Sequence, residues 1–258
     1  MSKASRNRDA RAKVAEMRAR EARQARQRRL FMGIGAAVVA VAAAVGISLA
    51  VVANGGSNPT PSTPKLNVGP TTALGPLKSP PDAGQLGFEG VPIPVAPTLA
   101  GLSSAATGGK VDGIRCQTRE QLIFHIHSHL TIFINGAQRQ VPAGVGIPGS
   151  KTVQSPQGPV AQIVSCLYWL HTHAPDGIIH VESPIHRTYT LGNFFDEWGQ
   201  PLGPSTLGPV TGHVVAFYNG QLYQGNPRDI PLNAHAQIQL QVGKPLIAQQ
   251  KISFSSGL

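Results

Sequence analysis

The chain has 258 residues, with 22 Lys or Arg against 12 Asp or Glu, a formal charge of +10 and two cysteines. The basic excess is concentrated at one end: residues 1–29 carry eleven Lys or Arg and three Asp or Glu, leaving the rest near neutral at +2. The charge is therefore a topology signal, and it excludes reading the high pI as a nucleic-acid-binding domain.

Segment 5–29 is dense in Ala, Arg, Glu and Gln, which are strong helix formers, and its cations suit contact with anionic lipid. Leu30 to Ala53 follows as 24 residues without a charge. As a helix it spans about 36 Å, enough for a hydrocarbon core of roughly 30 Å with some tilt. The expectation is one transmembrane helix over 30–53, with the basic tail 1–29 held in the cytoplasm by the positive-inside rule and everything beyond it extracytoplasmic. The bilayer is then the first partner, and the localisation is the cell membrane.

Residues 54–110 hold ten Pro and ten Gly and show no long alternating apolar run. Such a composition buries too little surface to offset the entropy of ordering, so the segment reads as an extended tether, with apolar patches from Val91 to Leu102 free to dock. Residues 111–258 change to repeated strand-like blocks, and about 150 residues suffice for one core. Both cysteines, Cys116 and Cys166, fall here. An oxidising exterior permits a bridge between them, worth roughly 4 kcal/mol for a 50-residue separation, with buried thiols or metal ligation as the alternatives.

Residues 122–134, LIFHIHSHLTIFI, alternate with a period of two. Leu122, Phe124, Ile126, Ser128, Leu130, Ile132 and Ile134 fall on one face, and His125, His127 and His129 on the other. Asn135-Gly136 predicts a hairpin into a return strand near Gln138 to Val141. The Gly-rich stretch 144–150 reads as turns. QIVSCLYWLHTH, residues 162–173, reads as an apolar strand ending in His171 and His173. Pro175-Asp176-Gly177 then turns the chain into a strand on which His180 and Glu182 share a face.

LGNFFDEWG, 191–199, predicts a short helix capped by Thr190. Strands over 212–218 and 221–224 are joined by Asn219-Gly220. In the last strand, 234–242, Ala236, Ile238, Leu240 and Val242 alternate with His235, Gln237, Gln239 and Gln241. The fold class is mainly β: a compact domain with one short helix, preceded by the single spanning helix.

All nine histidines lie between residues 125 and 235. Imidazole suits Zn, Cu, Ni and Fe, and an H-x-H pair on a strand aims two such ligands the same way. Residues two apart stand about 6.7 Å apart along a strand and can converge, whereas His125 and His129 are about 13 Å apart, so one centre takes at most two of that triplet unless a bulge intervenes. The expected centre combines His127 and His129 with His171 and His173, if strands 122–134 and 162–173 are neighbours. His180 or Glu182 completes or orients the shell, and His125 and His235 are lesser candidates. Methionine is absent from this domain, which disfavours a Cys/Met copper site. Zn or all-imidazole Cu is expected, with Ni or Fe as alternatives.

HTHAPDGIIHVE, 171–182, resembles a loosened first cupin motif, in which H-x-H and a downstream glutamate bind metal. GNPRDIPLNAH, 225–235, resembles the second, which implies His235 as a ligand. Glu182 stands farther from His173 than that pattern has it, and Pro231 to His235 is one residue shorter. The order strand, strand, short helix and three strands from 162 onward is similar to a β-grasp domain. The overall layout resembles uncharacterised actinobacterial envelope proteins, which implies location only.

Two other function classes remain open. A metal-dependent enzyme of the envelope would use an open metal position to activate water, with Glu182, Asp176 or Asp196 accepting a proton. A non-metal interaction module would use Gln237, Gln239 and Gln241 with Tyr218 and Tyr223 as a peptide or glycan surface; otherwise those glutamines form a solvated sheet face. There is no serine nucleophile elbow, phosphate-binding loop or paired cysteine motif.

Overall fold

The computed structural model describes residues 66–102 and 107–258. The basic tail and the apolar run 30–53 lie outside the described residues, among which no helix is long and apolar enough to cross a membrane. The domain is mainly β, built on an eight-stranded mixed sheet. In chain order its strands are β1 (Val68–Gly69), β2 (Phe124–Ile134), β3 (Ala137–Arg139), β4 (Leu170–His171), β5 (Ile178–Ser183), β6 (Val214–Tyr218), β7 (Gln221–Tyr223) and β8 (Gln237–Val242). The spatial order is β1-β7-β6-β8-β2-β5-β4, with β3 also paired to β2.

β2 and β8 are parallel, in register from His129 opposite Gln237 to Ile134 opposite Val242. The N-terminal half of β2 pairs antiparallel with β5, and its C-terminal end pairs with β3 through the expected Asn135-Gly136 hairpin. Asn219-Gly220 joins β6 to β7 in the same way; all four turn residues have positive φ, the geometry of a two-residue hairpin loop.

The apolar set of β2 points into the core as its alternation requires. Leu130, Ile132 and Ile134 are buried with Ile179, Val181, Ala216, Ile238 and Leu240. Helix α1 (Leu191–Trp198) adds Phe194, Phe195 and Trp198 to this cluster. Thr190 caps α1, its side chain accepting from the Asn193 N–H while the Asn193 side chain accepts from the Thr190 N–H, and Gly199 ends it in the left-handed region. A disulfide joins Cys116 to Cys166, with Cα atoms 5.5 Å apart, beside the pairing of Cys116–Gln117 with Leu167–Tyr168.

Three arrangements differ from the sequence expectations. The compact unit runs from Lys65 to Leu258, so all but the first eleven residues of the Pro/Gly-rich segment 54–110 fall within it. β1 pairs with β7, Lys78 bridges to Ile247, and Val91 and Leu99 are buried. Isolated strand bridges and single buried side chains anchor such a segment without any periodic pattern. Second, the stretch 162–173 is broken: Gln162 ends a strand Gly158–Gln162, two short pieces follow at Leu167–Tyr168 and Leu170–His171, and β5 lies between β4 and β2.

Third, the glutamine face of β8 is not solvated. Gln239 and Gln241 are buried beneath the chain's own C-terminal segment. Gln241 accepts from the Ile247 N–H at 2.7 Å and donates to the Ile247 carbonyl at 2.7 Å. Gln239 donates to the Ile247 carbonyl and accepts from the Gln250 N–H, and Gln237 bonds both backbone groups of Ile252. Side-chain amides thus satisfy the backbone of a segment whose own strand pairing is the single bridge to Lys78.

Candidate metal centre

The sheet topology puts β5 at the middle of the site. His180 is opposite His127 on β2 and opposite His171 on β4, and Glu182 is opposite His125. Three adjacent strands therefore present residues to one face in pairs two apart: His125 and His127, His180 and Glu182, and His171 with His173 just beyond β4. Since side chains two apart share a face and neighbouring strands are under 5 Å apart, the six converge above β5.

The loop after β3 holds the outer edge of this group. Gly144 N–H donates to the Thr172 carbonyl at 2.9 Å, Thr172 N–H to Val145 at 3.1 Å and Tyr168 N–H to Gly146 at 2.8 Å. Gly146 has φ +69°, and a Cβ there would sit 2.1 Å from the Leu170 carbonyl oxygen, so only glycine admits this close approach. The Gly-rich stretch read as turns is a clamp on His171 and His173.

The donor atoms lie at coordination spacing. His171 Nε2 is 3.2 Å from His173 Nε2 and 3.9 Å from Glu182 Oε1, and His180 Nδ1 is 3.3 Å from the same oxygen. His127 Nε2 is 3.1 Å from both His180 Nδ1 and His125 Nε2. Tetrahedral ligands at the usual Zn–N distance are about 3.3–3.4 Å apart. Two groups of donor atoms result, each with all members within 4.8 Å of one another: His171, His173, His180 and Glu182, and His125, His127 and His180.

Outer partners fix the rings. His171 Nδ1 lies 2.9 Å from the Tyr168 carbonyl oxygen, to which it donates, leaving the Nε2 lone pair for the site. Nε2 of His180 is bonded to the Glu89 carboxylate, which turns Nδ1 inward. Glu89 is the residue that sequence reasoning missed, because it sits in the stretch read as tether. Its one signal is being an acid inside an otherwise apolar run, LGFEGVPIP. Ser255 Oγ donates to the Glu89 carbonyl at 2.9 Å, so the C-terminal segment also holds this loop.

Burial governs the electrostatics. It keeps His127 and His171 well below the ordinary imidazole range and takes His173 to about 4, the charge on His180 adding to the effect at His127 and His173. At His180 burial opposes protonation, but the carboxylates of Glu89 and Glu182 outweigh it and raise its pKa well above normal. Glu182 is held well below the carboxyl range: burial works against it, and His171, His125 and His180 prevail. Burial and the Glu89 charge push the Asp176 carboxyl well above its ordinary range. The centre therefore offers neutral imidazoles and an ionised carboxylate, the forms a cation binds, and an ion at His180 Nδ1 displaces a proton.

His129 does not join His127. Its Nε2 donates to the Asp176 carbonyl at 2.9 Å, and its own burial takes it to about 4. The Asp176 turn thus diverts the third ring of the triplet. His235, which the second cupin-like stretch would make a ligand, lies apart, stacked on Phe254 with Nε2 3.0 Å from the Leu258 carbonyl.

No protein-family model, no curated protein and no solved structure matches this chain.

Proposed function

We propose that the chain is a membrane-tethered, extracytoplasmic protein that binds a transition metal through His171, His173, His180 and Glu182. The observation that carries the metal reading is the convergence of three imidazole nitrogens and a carboxylate oxygen in a buried group whose rings are oriented by Tyr168 and Glu89. The His171 and His173 ring nitrogens, 3.2 Å apart, stand at the spacing of two ligands of one ion. Nitrogen and carboxylate donors with no thiolate or thioether suit Zn or Cu, and accommodate Ni or Fe. The membrane part rests on the uncharged run 30–53 and the eleven cations before it, with anionic lipid as a partner of the basic tail. The disulfide accords with an oxidising exterior.

The test is elemental analysis of the full chain, purified in detergent without a histidine tag, beside a His171→Ala/His173→Ala variant. Bound Zn, Cu, Ni or Fe in the wild type and less in the variant is the expected result. Absence of metal from both proteins, even after incubation with each ion, overturns the reading. Recovery of the chain in the soluble fraction of its native cells overturns the tether.

A further inference from the structure

The group just described leaves His125 and His127 over. They are not spectators: their Nε2 atoms converge to 3.1 Å, and His127 Nε2 stands 3.1 Å from His180 Nδ1, making a second set of donors that overlaps the first. Six donors exceed the four of a tetrahedral site, and they resolve into two groups rather than one.

Glu182 stands between the groups. Its Oε1 is 3.2 Å from His125 Nε2 on one side and 3.3 Å from His180 Nδ1 and 3.9 Å from His171 Nε2 on the other. Its second oxygen, Oε2, is buried and has no hydrogen-bond partner. An ionised carboxylate that uses one oxygen and leaves the other orphaned in the interior is costly unless a cation takes the second lone pair. The neighbouring carboxylate, Glu89, is engaged through Oε1 by His180 on the far side of that ring, and its Oε2 is likewise buried without a partner.

We propose that the centre is dinuclear, with a second divalent transition-metal ion held by His125, His127 and the Glu182 carboxylate, which it shares with the ion at His171, His173 and His180. This rests on the metal-binding reading above and deepens it. Carboxylate-bridged ions stand about 3.5–4 Å apart. The two positions differ in kind. The second has three protein ligands, and its His125 side chain is 17% exposed. Three ligands leave a coordination position for water or a small anion, whereas the first position has four protein donors and is closed.

The experiment is reconstitution of the full chain in detergent, stripped with a chelator, using Zn(II) for stoichiometry and Cu(II) for electron paramagnetic resonance. The wild type is expected to retain two Zn(II) per chain. Its Cu(II) signal should grow through the first equivalent and fall through the second as bridged ions couple. His125→Ala/His127→Ala should retain one Zn(II) and show an uncoupled Cu(II) signal at full occupancy. One ion per chain in the wild type overturns the dinuclear centre and leaves the single-site reading standing. No ion at all overturns both. The wild-type count decides without the variant, so misfolding of the variant does not protect the proposal.

Discussion

Two regions of one sheet face bury rows of polar side chains, and they satisfy them in opposite ways. On β8, Gln237, Gln239 and Gln241 give their amide donors and acceptors to the backbone of residues 247–252, so the row is complete within the chain. On β2, β5 and β4, the imidazoles face one another and Glu182 keeps an orphaned oxygen. Both rows obey the rule that buried polar groups need partners, but the glutamines pair with backbone, whereas the imidazoles pair with one another and with carboxylates. An amide carries donor and acceptor together and fits a backbone; a converging set of lone pairs fits a cation. The first region is a structural seam and the second is a site.

That contrast can be broken most forcefully by metal removal. At a metal concentration about a thousand times the dissociation constant, binding is expected to add about 4 kcal/mol to the unfolding free energy. A chelator should then lower the thermal midpoint of the wild type strongly, and that of His171→Ala/His173→Ala much less. An equal response in both would mean that the histidine row is no less self-sufficient than the glutamine row.

Reduction of Cys116–Cys166, which closes a separation of 50 residues, is expected to cost about 4 kcal/mol in the loop-entropy account. Denaturant unfolding with and without reductant measures it. Metal stoichiometry should survive in the fraction that stays folded.

Glu89→Gln keeps the shape but removes the charge that orients His180, and a weakening of metal affinity by about 10–100-fold is expected from loss of such an outer partner. Competition with a chromogenic chelator reads this directly. An unchanged affinity would make Glu89 a packing residue of the loop.

Gln239→Leu is the matching change in the seam. It strands the Gln250 N–H and removes a donor from the Ile247 carbonyl, and a loss of about 1–3 kcal/mol of stability is expected, with metal content unchanged. If metal content falls instead, the two regions are coupled through the C-terminal segment and its Ser255 contact with Glu89.

The smallest effect concerns Glu197 on α1, whose carboxylate oxygens are both buried without partners. Burial, then the Asp112 charge, raises its pKa well above the carboxyl range. The folded state therefore binds a proton that the unfolded state has released. Wild-type stability should decline as pH rises from the unfolded pKa through the folded one. Glu197→Gln is expected to flatten that decline and to be the more stable protein above it, as read by denaturant midpoints across the pH range. A parallel pH profile for the two proteins would refute this.

Much of the fold is local and was legible. The period of two in 122–134, both Asn-Gly hairpins and the Thr190 cap follow from backbone chemistry within a few residues, and the structure has them where the pattern places them. Strand adjacency is not local. His171 and His173 were expected against β2, yet β5 intervenes, which makes His180 the residue at the centre. The same distinction explains the triplet: spacing limits a centre to two of the three rings, but only the turn at Asp176, reaching back to His129, decides which two. Glu89 was illegible because nothing in a Pro/Gly-rich run states where it will dock.

By itself, then, the sequence determined the charge asymmetry, the uncharged run, the mainly β class with one short helix, and a supply of imidazoles on one face of one strand, since each depends on residue type and short-range period. The tertiary structure alone decided which strands are neighbours, that a composition suited to a tether is packed on the domain at Val68, Val91 and Leu99, that the glutamine row is covered, and that six donors on three strands and just beyond one of them meet beside Glu89. Those outcomes depend on contacts between residues far apart in the chain, where packing and the satisfaction of buried polar groups choose among arrangements that local preference leaves equal.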